Sequence, residues 1–282
     1  MKTSAYYKTK KFTVNTMIHL LLLVVAASCL FPLLWMVSSS LKTQEEIFRN
    51  MSLLPAKLHF ENYYHAWMEG GFGRYFLNSI FYTASVVIGI IIVSSLAAYG
   101  FSRLKFRGSN LLFYMFMAAM MIPIPGSFVP LYILLNKLHL RNTAFGYILA
   151  MINVGLSTSI FMLKTFFDKM PKELEDAARI DGCSKLGIWR HVALPLSGPV
   201  LAVVVVFNAL NVWNEYVLAL IIFDSKHLMP LQVALTTFQG EFITRYPLLM
   251  AGLTITAIPI IIIYLLMQKY IVKGVTAGAV VG

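Results

Sequence analysis

Residues 75–101 run for 27 positions without one charged side chain. Five more stretches are nearly as bare: 17–36, 111–135, 142–163, 196–222 and 247–267, with Glu215 the single charged residue among them. An α-helix rises about 1.5 Å per residue, so about 20 apolar residues cross a hydrocarbon core of about 30 Å. Inside lipid every backbone N–H and C=O must find its partner within the protein, which leaves helices for runs of this length. The pattern therefore predicts an all-α, polytopic membrane protein with six transmembrane helices. Composition agrees. Of 282 residues, 59% are hydrophobic and 12% charged, about half the charged share of a soluble domain.

Six spans place both termini on one side. The segments on the N-terminal side (1–16, 102–110, 164–195 and 268–282) hold 15 of the 23 Lys and Arg residues, and the opposite side holds 8. Basic residues accumulate on the cytoplasmic face. The expected topology is therefore N-in and C-in, in the cell membrane. A basic start before an apolar run also fits a cleaved signal peptide, but 17–36 is long enough to span and further spans follow, so it reads as an uncleaved first span. The net charge of +11 does not imply nucleic acid, because the cations flank apolar runs instead of clustering with aromatics. Three divisions follow: a cytoplasmic segment 1–16, a transmembrane domain 17–272 and a cytoplasmic tail 273–282. No loop is large enough for a separate soluble domain.

Two runs carry internal features. The third contains MMIPIPGSFVP, and Pro123, Pro125, Pro130 and Gly126 cannot form one straight helix. It is either a plain kink or a broken helix lining a cavity or buried in protein. The fifth contains NVWNEYVLAL around Glu215. An intramembrane carboxylate is costly and by default marks a pathway. Asn211, Asn214 and Glu215 either line a polar translocation path or fix helix packing by hydrogen bonds.

The stretch 171–195, PKELEDAARIDGCSKLGIWRHVALP, breaks the apolar pattern with dense charge. It predicts a cytoplasmic hairpin of two short helices. Pro171 suits a first turn, and Glu173 and Glu175 suit the positive end of the helix dipole. Leu174, Ala177, Ala178 and Asp181 follow helical spacing. Gly182 is placed to end the first helix, Ser184 to cap the second, and Pro195 to close the unit.

This hairpin resembles the signature of permease subunits of binding-protein-dependent ABC importers: Glu-Ala-Ala, three residues, Gly, nine residues, Ile, one residue, Leu-Pro. Here Asp176, Ala177 and Ala178 precede Gly182 by that interval, and Val192, Leu194 and Pro195 follow it, with Asp176 in place of Glu and Val192 in place of Ile. The resemblance extends to the six-span layout, to WNEY at 213–216 and to TAGAV at 276–280. It is greatest for the carbohydrate branch, including the six-span permease of the maltose importer. It implies the type I ABC importer permease fold and alternating access. It implies that Asp176, Ala177, Ala178, Arg179, Asp181, Gly182, Val192, Leu194 and Pro195 form the contact with the ATPase. It places Gln239, Gly240 and Glu241 against the binding protein. Implied partners are a second homologous permease subunit, two ATPase subunits and an extracytoplasmic sugar-binding protein.

The chain has no G-x-x-x-x-G-K-[ST] phosphate loop, no H-E-x-x-H and no G-x-S-x-G. It is expected to be no enzyme and to hold no cofactor, with ATP bound by a separate subunit. Rival readings are an importer permease for a non-sugar solute and an ion-coupled secondary transporter. The second would show an internal repeat and more intramembrane charge. A membrane enzyme would need further carboxylates or metal ligands at the depth of Glu215.

Overall fold

In the computed structural model, residues 2–49, 52–104, 106–121, 124–240 and 244–279 are described. Their helices run in chain order: α1 (Lys2–Ser40), α2 (Gln44–Arg49), α3 (Glu61–Glu69), α4 (Phe72–Arg103), α5 (Ser109–Ala119), α6 (Ile124–Lys137), α7 (Ala144–Lys169), α8 (Glu173–Ile180), α9 (Lys185–Ile188), α10 (Leu194–Leu196), α11 (Gly198–Trp213), α12 (Val217–Ile222), α13 (Leu231–Ala234) and α14 (Tyr246–Ala279). Among the described residues there is no β-strand, only an isolated bridge between Gln239 and Thr244. Segments of α1, α4, α7 and α14 are long and apolar enough to cross a membrane. A fifth candidate is the pair Lys185–Leu196 and Gly198–Trp213, bent by 78°.

The chain forms two compact units. One comprises Met1–Gly70 and Thr237–Ile255, the other Gly71–Thr236 and Thr256–Gly282. The second is built on α4 and α7, with α11 against both. Both α4 and α7 present a row of buried residues four apart. On α4 the row is Tyr82, Val86, Ile90, Ser94 and Ala98; on α7 it is Tyr147, Met151, Gly155, Ser159, Leu163 and Phe167. Residues four apart form a continuous ridge on a helix, and such ridges interlock between helices. Small side chains in mid-row let the backbones approach, as in membrane interfaces. Gly155 is a point of close approach: a Cβ there would lie 2.1 Å from Asn208 Oδ1 and 2.5 Å from Ile90 Cδ1. Asn208 fills that gap, donating to Ser159 Oγ at 3.0 Å and to the Val204 carbonyl at 2.8 Å. On the other faces of α4, Leu77, Phe81, Ile88 and Ile92 are exposed, a surface suited to lipid.

Two apolar runs are not single helices. The third is divided into α5 and α6, with Pro130 inside α6; Ile122 and Pro123 lie outside the described residues. The fifth, read as one span 196–222, is interrupted at Asn214, Glu215 and Tyr216 between α11 and α12. The last helix exceeds its apolar run, passing Pro259 and continuing to Ala279 through most of the segment read as a tail.

In the other unit, α1 ends in the buried residues Ser38, Ser39 and Ser40, followed by Lys42, which is 0% exposed. Lys42 Nζ donates to the Ser52 carbonyl and stands 5.0 Å from the centre of the Trp35 ring. Asn62 Nδ2 donates to the carbonyls of Ser40 and Lys42. These bonds supply the buried ammonium and the chain reversal with the partners that burial demands.

Candidate functional site

The two short helices and the turn between them form as the sequence predicts, although Pro171 lies just before α8 and not in its first turn, and the turn can be followed bond by bond. Gly182 takes φ +83°, a conformation in which a Cβ clashes with the backbone. Its N–H donates to the Arg179 carbonyl at 3.1 Å, and Cys183 N–H donates to the Ala178 carbonyl at 3.0 Å. This pair of bonds is the Schellman ending of α8. Ser184 Oγ then accepts the Gly187 N–H at 3.1 Å and caps α9.

Beyond α9 the ladder widens over Trp189–Ala193, and Leu194 N–H donates to the Trp189 carbonyl five residues back. The widening falls just before Pro195, which has no N–H to offer. Helical backbone nonetheless continues past Pro195 to Leu196, so Pro195 does not close the unit. The 78° bend comes after Leu196, around Ser197, with Pro199 in the first turn of α11. Ser197 is fully buried, and its N–H donates to the Ala193 carbonyl at 3.1 Å.

The two faces of α8 differ. Ala178 is buried in this chain's own core, and Glu175, 5% exposed, is buried with it. Asp176, Ala177, Arg179, Asp181 and Gly182 are exposed. Ile180 is 86% exposed and Leu186 63%, so the hairpin carries an apolar crown. Arg179 pairs with Asp176 at 2.6 Å on the exposed face, where such a pair contributes little. Val192 and Leu194 are half-buried and Pro195 is exposed. Of the residues matching the signature, Ala178, Val192 and Leu194 thus face at least partly inward, and the others face outward.

On its inner face the hairpin is held by α4. Arg103 Nε lies 2.6 Å from Glu175 Oε1, and each side chain is 7% accessible. The approach is close but off the N–H axis, so its attraction is Coulombic more than that of an aligned hydrogen bond. Arg103 also donates to the Met170 carbonyl at 2.6 Å, and Tyr99 OH to Glu175 Oε2 at 3.4 Å. Sequence reasoning missed this link. The sequence alone sets Glu175 against the helix dipole and Arg103 among the membrane-flanking charges, and no spacing rule relates residues 72 positions apart.

Glu215 is half-buried in the break between α11 and α12. Its carboxylate accepts the N–H of Leu218 at 2.6 Å and of Ala219 at 3.0 Å, and the Tyr147 hydroxyl at 3.3 Å. It therefore caps α12 and ties it to α7. A cavity of about 340 Å³ opens beside it, lined by Asn211, Asn153, Ser127 and Leu131 among others. Asn211 and Glu215 are brought together at this wall. Asn214 does not line the cavity: it donates to the Leu210 carbonyl and accepts from Gln232.

Gln239 and Gly240 are exposed; Glu241 lies outside the described residues. The base of their loop is well held. The N–H of Arg245 donates to the Phe238 carbonyl at 2.9 Å, and its guanidinium donates to Glu69 Oε2 at 2.7 Å. Gln44 donates to the Thr244 carbonyl at 2.8 Å and accepts Tyr246 N–H at 2.9 Å.

Residues 85–277 match the model of the family described as binding-protein-dependent transport system inner membrane component. The chain belongs to this family of permeases.

Known relatives agree over nearly its whole length. It is 36% identical over 275 residues to the probable ABC transporter permease protein YurM of Bacillus subtilis, covering 98% of this chain and 91% of that one. It is 33% identical over 262 residues to the arabinooligosaccharides transport system permease protein AraQ of Halalkalibacterium halodurans, covering 92% and 93%. Among solved structures, a bacterial ABC transporter involved in the import of the acidic polysaccharide alginate matches with TM-score 0.81 and 25% identity, over 91% of this chain and 95% of that one. The permease is thus an ABC-type, multi-pass protein of the cell membrane, from a family of transport proteins and not of enzymes. Such a subunit works in a complex with an ATPase and a substrate-binding protein.

Proposed function

We propose that this permease is one of two homologous membrane subunits that, with two ATPase subunits and an extracytoplasmic binding protein, import a sugar or oligosaccharide. A carbohydrate cargo is supported by the relative named for arabinooligosaccharides and by the structural neighbour from an alginate importer. The observation that carries the mechanism is the hairpin, held inward by Ala178 and Glu175 while Asp176, Ala177, Gly182 and the apolar Ile180 and Leu186 face outward. An exposed apolar crown on a charged hairpin suits a protein partner.

In this reading ATP is bound by the separate ATPase, which grips the hairpin. The chain crosses the membrane six times with both termini inside, the α5–α6 and α11–α12 segments each completing one crossing. ATP binding moves the hairpin and opens the membrane helices outward; hydrolysis resets them. Asn211 and Glu215 contribute to the solute path at the cavity wall, with Asn214 beside that path but not on it. Gln239, Gly240 and Glu241 form part of the landing surface for the binding protein.

The test is reconstitution of the permease with its partner subunits in vesicles. Uptake should require both ATP and loaded binding protein and should survive collapse of ion gradients. Uptake that persists without ATP and stops with the gradients would replace this reading by a secondary transporter.

A further inference from the structure

We propose that Arg103 is a positioning residue for coupling: with Glu175 it latches the hairpin to the end of α4, so that hairpin movement is delivered to α4 and α7. This inference rests on the reading of the hairpin as the ATPase contact. The route along the chain is weak. Between α7 and α8 stand only Met170, Pro171 and Lys172, and Met170 is extended (ψ 132°). A load on α8 passing only through that corner would be absorbed by its free torsions.

The latch bypasses the corner. Arg103 reaches both sides of it, the Met170 carbonyl at 2.6 Å and the Glu175 carboxylate at 2.6 Å. Two neighbours on α4 extend the grip. Tyr99 donates to Glu175 and packs edge-on against Phe167 of α7, ring centres 5.9 Å apart. Ser102 donates at 2.7 Å to Asp168, which also pairs with Lys164 at 2.7 Å. The last turn of α4, the last turn of α7 and the first turn of α8 are thereby joined by side chains. Glu175 occupies the inner face of the same two-turn helix whose outer face presents Asp176 and Ala177. Stability alone is a poor reason for such a pair, since buried ion pairs are often replaced by apolar residues without loss. A planar guanidinium hydrogen-bonded to the Met170 carbonyl and ion-paired with Glu175 does restrain the angle between two elements.

The test uses the complete transporter in vesicles and reads ATP hydrolysed per solute imported, together with assembly and thermal midpoint. The double variant Arg103→Met/Glu175→Met removes both charges and leaves neither unpaired. It should assemble and hydrolyse ATP, while ATP used per solute rises about tenfold, the size of a typical coupling free energy. Arg103→Lys keeps the charge but loses the fork and should fall between that variant and wild type. If either assembled variant retains the wild-type ratio, the pair only holds structure and the proposal is overturned. Should the double variant not assemble, Arg103→Lys decides by the same ratio. A wild-type complex whose uptake ignores ATP would instead overturn the underlying assignment of the hairpin.

Discussion

The Glu215 carboxylate accepts the Leu218 N–H at 2.6 Å and so holds the start of α12. A half-helix beginning inside an apolar stretch has N–H groups that lipid cannot satisfy. This bond gives the one acidic residue of an otherwise charge-free run a backbone partner. It also separates two contributions of one side chain. Glu215→Gln keeps one acceptor for the cap and removes the charge at the cavity wall. The transporter should assemble in wild-type yield, with uptake clearly reduced. Glu215→Ala orphans both N–H groups and should also lower stability by about 0.5–2 kcal/mol, the usual size of a lost cap. Vesicle uptake and thermal unfolding of the purified complex check the pair. Wild-type uptake in the Gln variant would assign the carboxylate to capping alone.

Gly155 should tolerate no side chain. Its missing Cβ is what admits Asn208 and Ile90 between α7, α11 and α4. Gly155→Leu forces these apart and should destabilise by about 1–3 kcal/mol, as overpacking does. Gly155→Ala should show a smaller loss in the same direction. The thermal midpoint of the detergent-purified permease reports both.

The contact between Glu69 and Arg245 has a defined pH response. The hydrogen bond from Arg245 is the main cause holding the exposed Glu69 carboxyl below its ordinary value of 4.5, with His65 also beside it. A carboxylate with a lowered folded-state pKa contributes above the ordinary value, and its contribution is lost as pH falls through the lowered one. The Glu69 carboxylate should therefore keep its charge, and its part of the contact, as pH falls to its ordinary value of 4.5, and lose them below that. Glu69→Gln mimics protonation and should loosen the base of the loop at neutral pH. Faster hydrogen exchange at the Arg245 and Tyr246 amides is the readout.

The all-α membrane architecture was legible from charge-free runs alone, because lipid leaves the backbone little choice. The hairpin's turn chemistry was legible too, since Gly182 and Ser184 act through bonds to near neighbours. The facing of α8 was only half legible. Ala177 and Ala178 are the same residue type, and only packing puts Ala178 in the core and Ala177 outside. The Arg103–Glu175 link and the Tyr147–Glu215 bond join positions 72 and 68 residues apart, and one sequence contains no trace of such pairings. The interruption of the fifth run was concealed because hydropathy averages over Asn214 and Glu215, and the cap that stabilises the break is a tertiary-level arrangement.

The most direct test of the central claim lies at Gly182. Its φ of +83° admits a β-branched side chain only with local backbone strain, of about 1–3 kcal/mol, yet apart from its own chain neighbours nothing stands within 4 Å of where its Cβ would be. Gly182→Val should therefore leave the membrane helices folded and distort only the hairpin turn. The measurement is ATP hydrolysis and solute uptake, side by side, in vesicles holding the whole transporter. If the hairpin is the contact through which ATP drives this permease, the variant should hydrolyse ATP while uptake collapses, or lose its hold on the ATPase altogether. Uptake and hydrolysis both at wild-type levels, in an assembled complex, would contradict that account.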